Sequence, residues 1–196
     1  MSWNDVDILR TFHETDALLH GHFLLTSGRH SEVYFQCAKI LQHPDYAEEL
    51  CSIIADEFCD KNIDVVIAPA IGGIIVGHEV AKQINKRFIF AEREDKKLTL
   101  RRGFSIKEGE RVLVCEDVVT TGGSVFEVMD IAKSCNAEVA GVGFIVDRSN
   151  GKVDFGVPQL STIKLEAISY SPEECPLCKN GSELVKPGSR KLPVKS

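Results

Sequence analysis

The sequence predicts an α/β fold with a parallel sheet covered by helices on both faces. Three observations carry that prediction. Apolar runs of buried-strand type recur at 64–68, 87–91, 111–115 and 138–146. Segments 73–84 and 124–134 between them read as helices, and this alternation argues a parallel sheet. The polar or glycine-bearing loops 69–73, 92–103, 116–124 and 147–151 all follow carboxyl ends of strands, where such sheets bind ligands.

The elements follow in order. Residues 4–20 place Ile8, Leu9, Phe12, Leu18 and Leu19 at near-helical spacing, with Gly21 as the stop. Strands are expected at 23–25 and 32–35, around the turn Ser27-Gly28-Arg29-His30. Pro44 suits a first helical turn, and that helix runs to about Cys59. The alternation described above then begins, with a late strand at 160–167. The tail is rich in Pro, Gly, Ser and Lys and reads as irregular. Three segments result: 1–40 with a helix and two strands, 41–170 as the α/β core, and 171–196 as the tail.

Composition narrows the class. The chain has 196 residues, 43% apolar and 27% charged, as in an ordinary globular domain. A net charge of −6 argues against a general binder of nucleic acid or membrane surfaces. No apolar run approaches the roughly 20 residues that span a bilayer. The N-terminal residues lack the basic-then-apolar pattern of a signal peptide. Seven scattered cysteines, mostly in apolar contexts, point to free thiols in a reducing cytoplasm.

The run from Val112 to Ser124 is the most informative stretch. A buried strand carries Glu116 and Asp117 at its carboxyl end, and Thr-Thr-Gly-Gly-Ser then opens a helix. Free amides and the helix dipole favour a phosphate there, whereas the carboxylates suit a vicinal diol or a Mg²⁺-bound sugar. No Gly-Lys-Ser/Thr follows, so this is not a Walker A loop; G-x-G-x-x-G spacing is also absent. The run resembles the thirteen-residue signature of the type I phosphoribosyltransferases, which bind phosphoribosyl pyrophosphate (PRPP). That resemblance implies their Rossmann-like fold with a small N-terminal hood. It also implies that Glu116, Asp117, Val118, Val119, Thr120, Thr121, Gly122, Gly123 and Ser124 bind PRPP.

Other loops fit the same family. Ala70-Ile71-Gly72-Gly73 lies between a strand and a helix, and its glycines let amides approach an anion. A tight βα turn explains it equally well. By resemblance it is the pyrophosphate loop, with Ala70, Ile71 and Gly72 on PRPP and Ala70–Ile71 as a cis peptide. Residues 87–107 hold seven Lys or Arg against three Asp or Glu, a local +4. Solvated surface explains many charge runs, but this one follows a parallel strand. It resembles the mobile catalytic loop of orotate phosphoribosyltransferases, which makes Lys96 or Lys97 the catalytic lysine, with Arg93 on PRPP. Cations there would stabilise charge on the departing pyrophosphate where water is excluded.

The stretch from Gly21 to Phe35 resembles the orotate-side hood of those enzymes. The resemblance places Thr26, Phe35, Thr120 and Arg148 around orotate, Arg148 meeting its carboxylate. Three positions depart from the family pattern. Gly72 and Thr26 stand where lysines are common, and the charged loop has no histidine. Cys175-x-x-Cys178 is half a zinc site. Histidines at 13, 20, 22, 30, 43 and 78 would complete it only by folding together, so no resident metal is expected. The implied reaction joins orotate to PRPP, giving orotidine 5′-monophosphate and pyrophosphate on the route to UMP. Mg²⁺ enters with PRPP, and the unit is a homodimer that shares the charged loop. The alternatives are transfer to a purine or another base, and a PRPP-binding regulator without catalysis.

Overall fold

The computed structural model describes residues 5–25, 27–165 and 168–186. In chain order the elements are α1 (Asp5–Glu14), β1 (Leu18–Leu24), β2 (His30–Phe35), α2 (Cys37–Leu41), α3 (Pro44–Phe58) and β3 (Val65–Pro69). Next come α4 (Gly73–Gln83), β4 (Arg87–Glu94), β5 (Lys97–Leu100), β6 (Arg111–Val119) and α5 (Gly123–Ser134). The chain finishes with β7 (Glu138–Asp147), β8 (Gln159–Lys164), β9 (Ser169–Tyr170) and α6 (Pro176–Lys179). It divides into two compact units, one of residues 1–8 and 41–166, the other of 9–40 and 167–196. Residues 9–40 and the tail, expected in separate pieces, therefore share a unit.

The larger unit holds a six-stranded sheet in the order β5-β4-β3-β6-β7-β8. All neighbours pair in parallel except the antiparallel edge pair β4–β5. Strand alternation splits the core between the two faces. Val65 and Ile67 of β3, Val112 and Val114 of β6, and Val142 and Phe144 of β7 pack with Val125, Val128 and Met129 of α5. Burying each such side chain contributes roughly 1.5–3 kcal/mol. On the opposite face, α4 packs against β3, β4 and β6, and α3 lies against β7 and β8. From β3 the chain crosses through α4 to β4; from β6 it crosses through α5 to β7, in the other direction along the sheet. The topological switch point thus falls between β3 and β6, the place where such sheets take ligands.

The smaller unit has an antiparallel sheet, β1-β2-β9. The chain after β8 joins it through β9, and the tail through a bridge between Phe23 and Val185. Arg29 also donates through Nε to Ser169 Oγ at 2.9 Å. Phe12 and Phe35 meet edge to face, centroids 6.5 Å apart.

Four sequence expectations are corrected. The first helix ends at Glu14 rather than near residue 20, because Asp16 takes a left-handed φ of 52° and Leu18 starts a strand. Its later apolar residues serve strand alternation instead of a helix face. The charged segment after β4 is not an irregular loop: Glu94 pairs with Lys97 across a two-residue turn, with Asp95 and Lys96 at φ 47° and 71°. Positive φ at both central positions matches the twist of the flanking strands. β6 extends to Val119, so the acidic pair lies within the strand. Ser169–Tyr170 forms β9 at the end of the segment expected as core, and the tail holds the short helix α6, whose local signals are weak in so small a piece. Helix α2 was not anticipated.

Candidate active site

The loops after β3 and β6 border the switch point. Pairing between these strands stops at Ile67–Val114, whereas β6 stays paired with β7 as far as Val119–Asp147. Beyond Val114, β6 is no longer paired with β3, and Glu116 and Asp117 lie in that stretch. The Ala70–Ile71 peptide is cis, as the resemblance implied. Ala70 N–H donates to the Ala91 carbonyl at 2.8 Å, tying the loop to β4. Ile71 is 84% exposed.

The loop and the acids touch through glycines. A Cβ at Gly72 would sit 2.3 Å from Asp117 Oδ2, and one at Gly73 would sit 3.0 Å from Glu116 Oε1. Only a residue without a side chain allows this approach with the carboxylates where they are.

The two acids are not equivalent. Glu116 is 8% exposed, and its Oε1 accepts the Asp117 N–H at 3.0 Å. Burial, and then the neighbouring Asp117 charge, push its pKa well above the ordinary carboxylate range. Asp117 is half-buried, and its Oδ1 accepts the Val118 N–H at 2.8 Å. Asp117 is therefore the more accessible of the two carboxylates.

Downstream, Thr120, Thr121 and Gly123 are exposed, Ser124 is half-buried, and Gly122 takes a φ of 74° before α5 begins. No side chain caps that helix, so its first amides face the turn. Buried Asp147 at the end of β7 shapes the next loop. Its Oδ1 accepts from the Ser149 N–H and hydroxyl, both at 2.7 Å, and its Oδ2 from the Gly151 N–H at 3.2 Å. Arg148 N–H donates to the Val119 carbonyl at 2.8 Å, so the half-buried arginine is carried beside the end of β6.

A chain with this arrangement matches known proteins closely. The family model described as the phosphoribosyl transferase domain matches residues 36–168. An orotate phosphoribosyltransferase of Caldanaerobacter subterraneus subsp. tengcongensis is 60% identical, the match covering 94% of this chain and 97% of that one. The chain belongs to the orotate phosphoribosyltransferase family. A relative of that name from Pelotomaculum thermopropionicum is 58% identical over 95% of this chain and 98% of its own. The crystal structure of orotate phosphoribosyltransferase from Aeropyrum pernix superposes with a TM-score of 0.68 at 25% identity, covering 81% of this chain and 93% of that one.

Within this family member the remaining site expectations fall out unevenly. Ala70, Ile71, Gly72 and the residues from Glu116 to Ser124 gather at the switch point. Arg93 is engaged elsewhere: it clasps Glu127 of α5 with contacts of 2.8 and 3.2 Å and donates to the Lys96 carbonyl at 2.5 Å. Those hydrogen bonds hold the Glu127 carboxyl below its ordinary range. Glu127 also accepts the Leu98 N–H at 3.1 Å, so it ties the hairpin to α5. Arg102 clasps Glu92 at 2.7 and 2.8 Å, and Arg101 lies 3.7 Å from Glu94. Lys96 and Lys97 are exposed and form no ion pair among the described residues. Phe35 is buried in the smaller unit, and Thr26 lies outside the described residues.

Sequence reasoning missed Asp147, Ser149 and Glu127. The Asp-x-Ser spacing after a buried strand was a legible turn signal for the first two. Glu127 gave none, because its partner lies on another element.

Proposed function

We infer that the chain transfers the phosphoribosyl group of PRPP to orotate, making orotidine 5′-monophosphate and pyrophosphate in pyrimidine biosynthesis. It is a pentosyltransferase. The observation that carries the residue-level reading is the contact of the loop 70–73 with Asp117 and Glu116. Pyrophosphate amides and a diol-binding carboxylate must be adjacent if both are to hold one activated sugar.

In this reading Thr120 to Ser124 grip the 5′-phosphate with amides, hydroxyls and the start of α5. Asp117 accepts from the ribose hydroxyls, and Glu116 holds the strand and the first residue of α4 behind it. The amides of Ala70 to Gly73 receive the pyrophosphate. Arg148 and Thr120 orient orotate so that its ring nitrogen attacks C1 of the ribose. As that bond forms, the C1–oxygen bond to pyrophosphate breaks and positive charge grows on the sugar. Asp117 is the carboxylate that faces that charge in this reading. Lys96 and Lys97 carry their charge to the departing oxygens. Positioning and electrostatics supply the rate without a protein nucleophile.

The donor set suits Mg²⁺, a hard ion that keeps most of its ligands as water and substrate oxygens. Asp117 is a half-buried carboxylate beside the loop that would take pyrophosphate. When bound, the ion neutralises charge on the pyrophosphate. The reading includes a homodimer in which the hairpin 94–97 of one chain serves its partner's site. The exposure of Lys96 and Lys97 supports it. Among the described residues no helix is long and apolar enough to cross a membrane.

The test is pyrophosphate release from PRPP and Mg²⁺ with orotate, uracil or hypoxanthine as acceptor. Release with orotate alone is expected. Release with hypoxanthine or uracil and none with orotate would overturn the assignment.

A further inference from the structure

We propose that the smaller unit carries a structural zinc site formed by His22, His30, Cys175 and Cys178. The histidines come from the β1–β2 hairpin and the cysteines from the start of α6. The four ligand atoms all lie within 4.8 Å of one another. The individual spacings lie within about 0.4 Å of those of a tetrahedral shell. Cys175 Sγ and Cys178 Sγ lie 3.5 and 3.6 Å from His22 Nε2, and Cys178 Sγ lies 3.2 Å from His30 Nδ1. The two ring nitrogens are 3.0 Å apart. With Zn–S near 2.3 Å and Zn–N near 2.0–2.1 Å, a tetrahedron separates sulfur from nitrogen by about 3.5 Å and the nitrogens by about 3.4 Å.

An independent feature orients the first ligand. His22 Nδ1 lies 3.0 Å from the Ser182 carbonyl, which can only accept. The ring therefore carries its proton on Nδ1 and turns the Nε2 lone pair toward the cysteines. A backbone carbonyl behind a ligating imidazole is the usual support of a metal-bound histidine. Local backbone agrees: the β1–β2 register shifts between His20 and Phe23, and such an irregularity re-aims a side chain.

Burial and charge fit as well. His22, His30 and Cys175 are 4%, 5% and 0% exposed, whereas Cys178 faces solvent and gives an ion its entry. Two thiolates and two neutral imidazoles around Zn²⁺ make a complex with no net charge, so its burial costs little. Four protein ligands close the shell, which marks the site as structural rather than catalytic. Thiolate with imidazole in this geometry selects zinc over the oxygen-seeking Mg²⁺.

The site has work to do in this unit. Its two chain segments are far apart in sequence, and its sheet has only three strands. Small units with little core commonly rely on a metal or disulfide staple. Here the ion joins the tail to the β1–β2 hairpin.

Elemental analysis of the full chain, purified without added metal, tests the proposal. One zinc per chain is expected, and Cys178→Ser reduces it to a small fraction. Cobalt titrated into metal-stripped protein should give tetrahedral ligand-field bands with thiolate charge transfer, displaced by zinc. That spectrum decides the matter even if the variant misfolds. Zinc should also raise the melting temperature of the stripped protein, by linkage. Protein that holds no zinc and gives no cobalt–thiolate spectrum overturns the site. Iron or copper in place of zinc overturns the assignment of the ion.

Discussion

Replacing Gly72 with alanine probes the contact on which the active-site reading rests. The new methyl carbon would meet Asp117 Oδ2 at 2.3 Å, Cγ at 2.6 Å and Oδ1 at 2.7 Å. An ordinary carbon–oxygen contact needs about 3.3 Å, so the carboxylate must retreat by about 1 Å. The backbone itself does not object, because Gly72 has φ −57° and ψ −45°, which alanine adopts freely. A misplacement of about 1 Å at a catalytic group costs on the order of 100-fold in rate, or about 2.7 kcal/mol. The lower entropy of the unfolded chain favours the variant by up to about 1 kcal/mol, and disturbing the Val118 N–H bond to Asp117 costs about as much, so stability should change little. Steady-state kinetics with PRPP and orotate, paired with urea unfolding, separate the two effects. A Gly72→Ala enzyme with kcat/KM within twofold of the parent would refute the claim that Asp117 must lie where it does. An equal loss of activity and stability would show that the loop had simply been disrupted.

Other perturbations address the remaining groups. Arg148→Ala should raise the orotate KM by about 10- to 100-fold, the worth of a charge-assisted contact, with little change for PRPP; equal effects on both substrates would exclude the orotate role. Lys96→Ala/Lys97→Ala and Asp117→Asn chains should each lose at least about 100-fold in kcat. Mixing the two after dissociation should restore activity if each site takes its lysines from the partner, and no recovery would place both groups within one chain. Glu116→Gln should gain stability relative to the parent as pH rises. The unfolded carboxyl releases its proton near 4.5 while the native one holds on, so the parent loses stability from that pH up through the raised native value. Urea midpoints for both proteins from pH 4 to pH 8 measure the difference, and a gap independent of pH would contradict the burial argument.

The helices and parallel strands were largely legible in the sequence because their signals are local. The five residues of β3 are all buried, so they form an unbroken apolar run. Similarly, α5 shows its buried stripe at helical spacing. The strand-acid-turn run 112–124 was equally plain as a pattern, since strand, acids, hydroxyls and glycines are consecutive in the chain. Errors came where one signal served two structures. Leu18 and Leu19 fit a helical period but belong to β1, whose partner β2 supplies the hydrogen bonds. The charged segment after β4 gave no strand signal because its apolar positions are few; Leu98 is buried only through packing against α5 and the sheet.

By itself the sequence determined the fold class, the family and the strand that carries the acidic pair into a helix, because each rests on residues adjacent in the chain or repeated at a fixed period. Tertiary structure alone decided that Gly72 and Asp117 touch, that Glu116 is buried with its pKa raised, and that Arg93 is spent on Glu127. It also decided that His22 and His30 meet Cys175 and Cys178. Contacts of this kind join residues far apart in sequence, and their chemistry follows from distance and dielectric, which no local pattern encodes.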